Sequence, residues 1–174
     1  AAFLEQNGAD PATRSLLVGR LVAHLIDPAD GNTPVLRAAA GRVLCRLGDP
    51  RQGVGVVTRH GLSLPDIDWI AIPAGPFVMG GKESYEGGRQ FTCNLITEAY
   101  RIARYPVTVA QYDCFVQAGG YGEKGWWTDA GWKWRQKESV TGPERYREVL
   151  QTPNHPVVGV SWYEAVAYCA WLSD

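Results

Sequence analysis

Two stripes of apolar residues at helical spacing open the chain. The first stripe consists of Leu17, Leu21 and Leu25, and the second of Val35, Ala39, Val43 and Leu47. Asp10-Pro11 and Thr33-Pro34 place a capping side chain and a first-turn proline before each stripe, which is typical of a helix start. Gly48 supplies a helix stop. These signals predict two helices, which we interpret as the tail of a larger upstream helical module.

The pattern changes to that of strands after Asp68. Apolar runs cover Trp69 to Ile72 and Phe77 to Met79, and the Pro73-Ala74-Gly75 segment between them is typical of a short turn. We expect these two runs to pair as an antiparallel hairpin. A third strand is expected within Phe91 to Arg104, where apolar and polar residues alternate.

Thr108 is the next helix start signal. The helix is expected to run to about Ala118, where Gly119-Gly120 stops it. Its inner face is expected to carry Val109, Tyr112 and Phe115 or Val116. Residues 121–153 are predicted to form mainly a long ordered loop, because glycine, proline and charged residues interrupt every apolar pattern.

The run NHPVVGVSWYEAVAYCAWL, from Asn154 to Leu172, joins a turn, a buried strand and a helix. Ser161 and Glu164 form an S-x-x-E capping box, in which each side chain accepts a hydrogen bond from the backbone N–H of the other residue. A helix is therefore expected to begin at Trp162. Its buried stripe is expected to consist of Ala165, Val166, Cys169 and Leu172.

The charge balance argues against strongly charged partners. The chain has 17 basic and 18 acidic residues, and no apolar run approaches the roughly 18 residues that cross a membrane. We therefore expect no nucleic-acid partner and no membrane partner. The scattered cysteines lack a C-x-x-C pair, and Cys114 and Cys169 fall on the apolar faces of predicted helices. Buried free thiols and a cytoplasmic location are the expectation.

Four stretches in one order carry a family resemblance. They are IPAGPFVMGG from Ile72, YPVTVAQYDCFVQAGGY from Tyr105, WWTDAGWKWRQ from Trp126, and the run from Asn154. The last resembles, at every fixed position, the pattern N-x-P-V-x-x-V-S-W-x-x-A-x-A-Y-C-x-W of the formylglycine-generating enzyme family, also called the sulfatase-modifying-factor domain. Four ordered motifs are much harder to obtain by chance than one.

The resemblance implies an α+β fold similar to the C-type lectin fold. It covers about residues 66–174, so the expected organisation is a helical segment at 1–52, a linker at 53–65 and the N-terminal part of a sulfatase-modifying-factor domain at 66–174. Asp174 falls where a new segment of the family core should start, and we expect the fold to be incomplete at its C-terminal side. The missing C-terminal half of the same domain is the first expected partner.

The resemblance also has implications for metals. Formylglycine-generating enzymes oxidise a substrate cysteine with oxygen at two copper-holding cysteines of the C-terminal half, where the known calcium ligands also lie. We therefore expect no catalytic residue, metal or cofactor in this chain, and we assign copper or calcium to the missing half. Related iron-dependent sulfoxide synthases carry a histidine cluster on an added helical bundle, whereas His24, His60 and His155 are far apart here. His155 is predicted to be a turn residue.

An aromatic stretch is the predicted ligand-binding site. Trp126, Trp127, Trp132 and Trp134 lie in a segment broken by glycines, and flat rings on a bent loop can stack on sugars, bases or peptide side chains. The alternative is a satellite core that fixes this loop to the sheet. Replacing Trp127 by Ala separates the two, because loss of a core tryptophan costs on the order of 3 kcal/mol or more.

Two functions are consistent with the resemblance. The favoured one is a non-catalytic display protein on a C-type lectin-like scaffold that binds an unknown protein or small-molecule ligand. It rests on likeness to a bacterial subgroup that includes variable proteins of diversity-generating retroelements. The alternative is a copper- and oxygen-dependent formylglycine-generating oxidase acting on a sulfatase cysteine. Two closely spaced cysteines in the downstream sequence would favour the oxidase, because thiolates suit a soft copper ion.

Overall fold

The computed structural model describes residues 10–27, 33–81 and 89–174. The helices are α1 (Pro11–Ile26), α2 (Pro34–Leu47), α3 (Val109–Gln117), α4 (Asp129–Glu138) and α5 (Trp162–Ser173), with 3₁₀ turns at Lys124–Trp126 and Glu148–Leu150. The strands are β1 (Val56–Arg59), β2 (Leu62–Pro65), β3 (Trp69–Ile72), β4 (Phe77–Met79), β5 (Phe91–Cys93) and β6 (Tyr100–Ala103). Helices with small antiparallel sheets confirm the predicted α+β class.

The chain divides into two compact units. The first unit comprises Ala1–Ile67 and Tyr105–Asp174, and the second comprises Asp68–Arg104. Residues 1–9 of the predicted helical segment lie outside the described residues. The predicted domain limits at residues 53 and 66 stay predictions. None of the helices in the described ranges combines the length and apolar character needed to cross a bilayer.

The two predicted N-terminal helices are confirmed. Asp10 caps α1 by accepting hydrogen bonds from the backbone N–H groups of Ala12 and Thr13, and Thr33 caps α2 by accepting one from the N–H of Leu36. The helices contact each other, and the Arg14 guanidinium donates a hydrogen bond of 2.7 Å to the carbonyl of Leu47. The segment predicted as a linker contains the antiparallel hairpin β1–β2.

The second unit pairs its strands differently from the prediction. We expected β3 and β4 to form a hairpin, but β3 pairs with β6 and β4 pairs with β5. The hairpin prediction is therefore wrong. Pro73 and Pro76 flank the connecting segment, and a proline cannot donate the backbone hydrogen bond that a hairpin ladder needs beside its turn. The single strand expected between Phe91 and Arg104 is two strands, β5 and β6.

The predicted start of helix α3 after Thr108 is confirmed. Thr108 and Gln111 form a reciprocal capping box, and the helix ends at Gln117. The prediction of mainly loop for residues 121–153 is wrong in part, because α4 occupies Asp129–Glu138. Thr128 caps α4 by accepting a hydrogen bond from the N–H of Gly131. Its tryptophans, two residues apart, do not form a helical stripe, so the sequence pattern concealed the helix.

The segment before α5 does not form the predicted buried strand. Pro156 makes an isolated bridge to Thr108, and Gly159 has a positive φ of 73°, which interrupts any longer ladder. A Cβ at Gly159 would lie 2.3 Å from the carbonyl oxygen of Glu144. Close approach of two backbone segments therefore requires glycine at this position.

Helix α5 begins at Trp162 behind the Ser161–Glu164 capping box, as predicted. Its buried face is different from the prediction: Glu164, Ala167 and Tyr168 are buried, whereas Cys169 is exposed. Ala167 and Tyr168, three and four residues after Glu164, lie on the same face of the helix as Glu164, and this face is buried instead of the predicted one.

An aromatic core holds α3, α5 and the segment between α3 and α4 together. Its buried members are Tyr112, Phe115, Tyr121, Trp127, Ala167 and Tyr168. Phe115 is 0% exposed and contacts the rings of Tyr121 and Trp171, among others. Tyr112 stacks on Tyr168 with ring centroids 5.1 Å apart. Edge and stacked contacts of this kind stabilise a core beyond simple area burial.

Candidate functional site

The four tryptophans of the predicted ligand site occupy two environments. Trp127 is 6% exposed, and its indole N–H donates a hydrogen bond of 2.8 Å to the carbonyl of Gly120. Trp126, Trp132 and Trp134 are half-buried and pack against the aromatic core. The structure therefore places the rings at and around one core. Their role in ligand binding stays a prediction.

Trp132 and Trp134 each contact a further side chain. The Arg135 guanidinium lies over the ring of Trp132, 4.9 Å from its centroid, and Trp134 lies 5.5 Å from the ring of Tyr163. A guanidinium over an indole face is attracted by the ring quadrupole. The buried Nε of Arg135 has no hydrogen-bond partner among the described residues.

Glu164 lies at the centre of a buried polar network beside the aromatic core. Its Oε2 accepts a 2.8 Å hydrogen bond from the backbone N–H of Ser161, and its Oε1 accepts a 2.6 Å bond from the Tyr121 hydroxyl. The hydroxyls of Tyr112 and Tyr121 are 3.0 Å apart. A carboxylate can only accept, so Tyr121 donates to Glu164 and Tyr112 donates to Tyr121.

The tyrosines of this network are held in the protonated form. Burial raises the pKa of Tyr121, and its hydrogen bonds to Glu164 and Tyr112 raise it further. Burial is also the main cause that raises the pKa of Tyr112 and of Tyr168. The hydroxyl of Tyr168 is buried and has no hydrogen-bond partner in the described part of the chain. Only Tyr121 of these three therefore donates directly to a carboxylate.

Sequence reasoning identified Glu164 as a capping residue but not as the partner of Tyr121. The capping contact spans three residues, whereas the contact with Tyr121 spans 43. The sequence carries no local signal for the contact with Tyr121, because the two partners lie far apart along the chain.

An open groove lies next to the network. It has a volume of about 570 Å³, and its wall includes Trp134, Tyr146, Ser161 and Glu164. A second cavity, of about 390 Å³, includes Asp113 and Arg145 in its wall. Residues Thr141, Gly142, Glu144 and Tyr146 line both cavities. Trp134 is therefore the one member of the predicted ligand site that the wall of this groove contains.

Potential metal ligands are scattered. Within residues 10–27, 33–81 and 89–174, no three His, Cys, Asp or Glu side chains come together to hold a metal ion. His155 lies in a turn, with Nδ1 2.7 Å from the carbonyl oxygen of Pro156. All four cysteines are free; Cys93 and Cys114 are buried, but Cys169 is exposed, contrary to the prediction.

Asn154 links the family motif to the helical segment. Its side-chain amide donates to the carbonyl of Gly41 at 2.9 Å and to Asp49 at 2.8 Å. Asp49 also accepts two hydrogen bonds from the Arg51 guanidinium. Burial alone would raise the pKa of Asp49, but the hydrogen bonds from Arg51 and Asn154 outweigh it and lower that pKa.

Comparisons with known proteins agree with the motifs. The hercynine oxygenase of Mycolicibacterium thermoresistibile is 34% identical over 140 residues, which cover 72% of this chain and 31% of the relative. The hercynine oxygenase of Mycobacterium tuberculosis is 38% identical over 84 residues, or 42% of this chain and 20% of the relative. The formylglycine-generating enzyme of Bos taurus is 30% identical over 139 residues, or 62% of this chain and 36% of the relative.

The chain spans about a third or less of the length of these relatives. The match to a family extends over the whole aromatic core, the Glu164 network and the adjoining groove. Residues 59–174 match the family described as the sulfatase-modifying factor enzyme 1-like domain. The chain belongs to that family, which the four ordered motifs predicted.

Proposed function

We propose that this chain is part of an oxygen-dependent enzyme of the formylglycine-generating kind, whose substrate is a cysteine in a protein. The observation that carries the proposal is the family match together with the named relatives, which are hercynine oxygenases and formylglycine-generating enzymes. These relatives favour the oxidase that we held as the alternative over the non-catalytic display protein that we preferred. The preference for a non-enzyme has no support among them.

In this proposal the chain contributes framework and one wall of a substrate groove. The aromatic core fixes α3 and α5, and Glu164 reaches from the core to the groove wall. A C-type lectin-like fold remains the expected architecture of the whole domain. The proposal places the metal and its ligands in another part of the enzyme, as the family resemblance implies. The cytoplasmic location and the C-terminal half as a partner stay proposals as well.

A direct assay tests the oxidase. The protein at its natural length is incubated with oxygen, copper and a peptide that carries a single cysteine. Oxidation of the cysteine to an aldehyde is measured by reaction with a hydroxylamine probe and by mass spectrometry. We expect aldehyde with the cysteine peptide and none with its serine counterpart or without oxygen. Absence of aldehyde from the cysteine peptide would contradict the proposal.

The hercynine oxygenases define a second arm of the same experiment. Hercynine replaces the peptide, a small thiol is added, and iron replaces copper, because some of the relatives are named hercynine oxygenase. Oxidation of hercynine without oxidation of the peptide would mean that the protein is an oxygen-dependent enzyme whose substrate is hercynine and not a protein cysteine. Consumption of neither substrate would leave the ligand-binding alternative.

The groove supports ligand binding as a second candidate. Trp134 and Tyr146 lie in the wall of the 570 Å³ cavity, and aromatic rings in an open cavity can stack on planar or apolar ligands. Tryptophan fluorescence titrations with panels of peptides and saccharides test it, with Trp134→Ala as the variant and Trp126→Ala as the control outside the groove wall. A ligand whose binding Trp126→Ala weakens and Trp134→Ala does not would contradict a site in this groove.

A further inference from the structure

A continuous series of oxidisable rings crosses the aromatic core. Trp127 lies 5.5 Å from Tyr121 between ring centroids, and the Tyr121 hydroxyl lies 3.0 Å from that of Tyr112. Tyr112 then stacks on Tyr168 at 5.1 Å, and Tyr168 lies 5.7 Å from Trp171. Indole and phenol rings are the protein side chains that lose single electrons most readily apart from thiols. Their close spacing allows an electron to move from ring to ring.

After one electron is removed, the ring that remains oxidised is the one whose proton can be accepted by a nearby base. An oxidised phenol is a strong acid, so a tyrosine is oxidised easily only where a base takes its proton. Tyr121 donates its hydroxyl proton to the carboxylate of Glu164 over 2.6 Å. Glu164 is 2% exposed, so bulk water does not replace it as the acceptor.

Within this series, Tyr168, Tyr112 and Trp127 have no carboxylate as a hydrogen-bond partner among the described residues. The Tyr168 hydroxyl has no hydrogen-bond partner among the described residues, and the Tyr112 proton faces another phenol. The Trp127 N–H donates to a backbone carbonyl, which is a very weak base. The guanidinium over the ring of Trp132 disfavours removal of an electron there, because a positive ring repels a cation.

We propose that Tyr121 is a redox-active tyrosine with Glu164 as its proton acceptor. An oxygen-centred radical, such as a peroxyl radical, takes one electron from the ring series and becomes a peroxide anion. Tyr121 supplies that electron, its O–H bond breaks, and the proton passes to Oε1 of Glu164. The products are a neutral tyrosyl radical and a protonated Glu164. A thiolate then gives one electron to the tyrosyl radical and becomes a thiyl radical, and the proton returns from Glu164 to the Tyr121 oxygen, which restores the starting state.

This inference rests on the proposed function, since an oxygen-dependent enzyme is where incompletely reduced oxygen species arise. We call the ring series together with the Tyr121–Glu164 pair the relay. The relay would carry oxidising equivalents away from the site in which they form. Burial and the hydrogen bond to Glu164 both raise the pKa of Tyr121, so the phenol is protonated at neutral pH and oxidation must move a proton. That coupling is measurable without any substrate.

Flash photolysis tests the relay on the protein itself. A ruthenium(III) polypyridyl complex, generated by a light flash with a sacrificial electron acceptor, serves as the one-electron oxidant. Electron paramagnetic resonance of rapidly frozen samples then measures tyrosyl radicals. We expect a neutral tyrosyl signal, of which a distinct part is lost in Tyr121→Phe. Tyr168→Phe is the matched control and should retain that part.

Glu164→Gln separates proton acceptance from helix capping. Glutamine is also accepted at this position of a capping box, so its carbonyl can receive the Ser161 N–H while its NH₂ group faces Tyr121. The folded helix is thereby retained and the base is removed. We expect the Tyr121 part of the signal to be lost. Its persistence in Glu164→Gln, or in Tyr121→Phe, would overturn the proposal.

A measurement on the unchanged protein covers the case in which these variants fail to fold. Radical formation should be slower in D₂O than in H₂O, because the proton moves with the electron; equal rates would overturn the proposal. The result is independent of the peptide assay. A Tyr121 radical without peptide oxidation would contradict the proposed peptide oxidase and still support the relay. Peptide oxidation without a Tyr121 radical would contradict only the relay.

Discussion

The two compact units contain similar side chains but bury them very differently. In the first unit, Tyr112, Phe115 and Tyr168 are almost fully buried between α3 and α5. In the second unit, Cys93 is the only buried residue among those described, and Phe77, Phe91 and Trp69 are all more than two-fifths exposed. Apolar composition therefore does not by itself produce a core.

The difference in burial follows from the number of secondary-structure layers that cover the apolar side chains. Each sheet of the second unit has two strands, and a two-stranded sheet is at best marginally stable unless another layer covers one of its faces. In the first unit, helices and an aromatic loop surround the same rings from several directions. The buried polar network of Glu164 belongs to the unit with the complete core, because a buried carboxylate keeps its fixed partners only in rigid surroundings.

Matched phenylalanine substitutions give the largest expected effect. Phe115→Ala should lower the free energy of unfolding by about 3–5 kcal/mol, because Phe115 is 0% exposed. Phe91→Ala in the second unit should cost about 1 kcal/mol, because its side chain is 55% exposed. Equilibrium unfolding in urea measures both. Equal losses would mean that the second unit has a core comparable with the first.

Within the first unit, tryptophan substitutions separate core from groove. Trp127→Ala should cost about 3–5 kcal/mol, because its ring is buried and its indole N–H is bonded to Gly120. Trp134→Ala should cost about 1–2 kcal/mol, because Trp134 is only partly buried and lines the cavity. Urea unfolding of both variants tests this order. A small loss for Trp127→Ala would instead favour a binding platform.

Long-range polar contacts should also differ between the units. Asn154→Ala removes two hydrogen bonds to the helical segment and should cost about 1–3 kcal/mol. Asp68→Ala removes a more exposed ion pair with Arg104 in the second unit and should cost about 0–1 kcal/mol. Hydrogen exchange of α2 provides the local measurement: only Asn154→Ala should accelerate it. Unchanged exchange would mean that the helical segment is held by other contacts.

The smallest expected effect is on the pH dependence of stability, through Asp49. Because the folded-state pKa of Asp49 is lowered below its ordinary value of 3.8, this carboxylate adds stability that is complete above that pH and is lost as the pH falls through the folded pKa. Asp49→Asn should therefore lower stability at neutral pH and make the decline of stability in acid shallower. Urea midpoints measured from neutral pH to below pH 3.8 test the slope. An unchanged slope would exclude this contribution.

Local signals in the sequence predicted the helix starts. The capping residues Asp10, Thr33, Thr108 and Ser161 each stand directly before an observed helix. A cap is a contact between residues two or three positions apart, so the sequence contains both partners in one short window. Four motifs of fixed order likewise predicted the family. The sequence by itself therefore determined these four helix starts and the kinship of this protein.

Only the tertiary structure decided strand pairing, the rotation of α5 and the partner of Glu164. Tyr121 meets Glu164 across 43 residues, and Asn154 meets Gly41 across 113. Such contacts depend on which surfaces are buried together, and many pairings satisfy the same local pattern. The competition between them is resolved by packing of the whole core, because one rotation of α5 buries Tyr168 and Glu164 together and the predicted one does not.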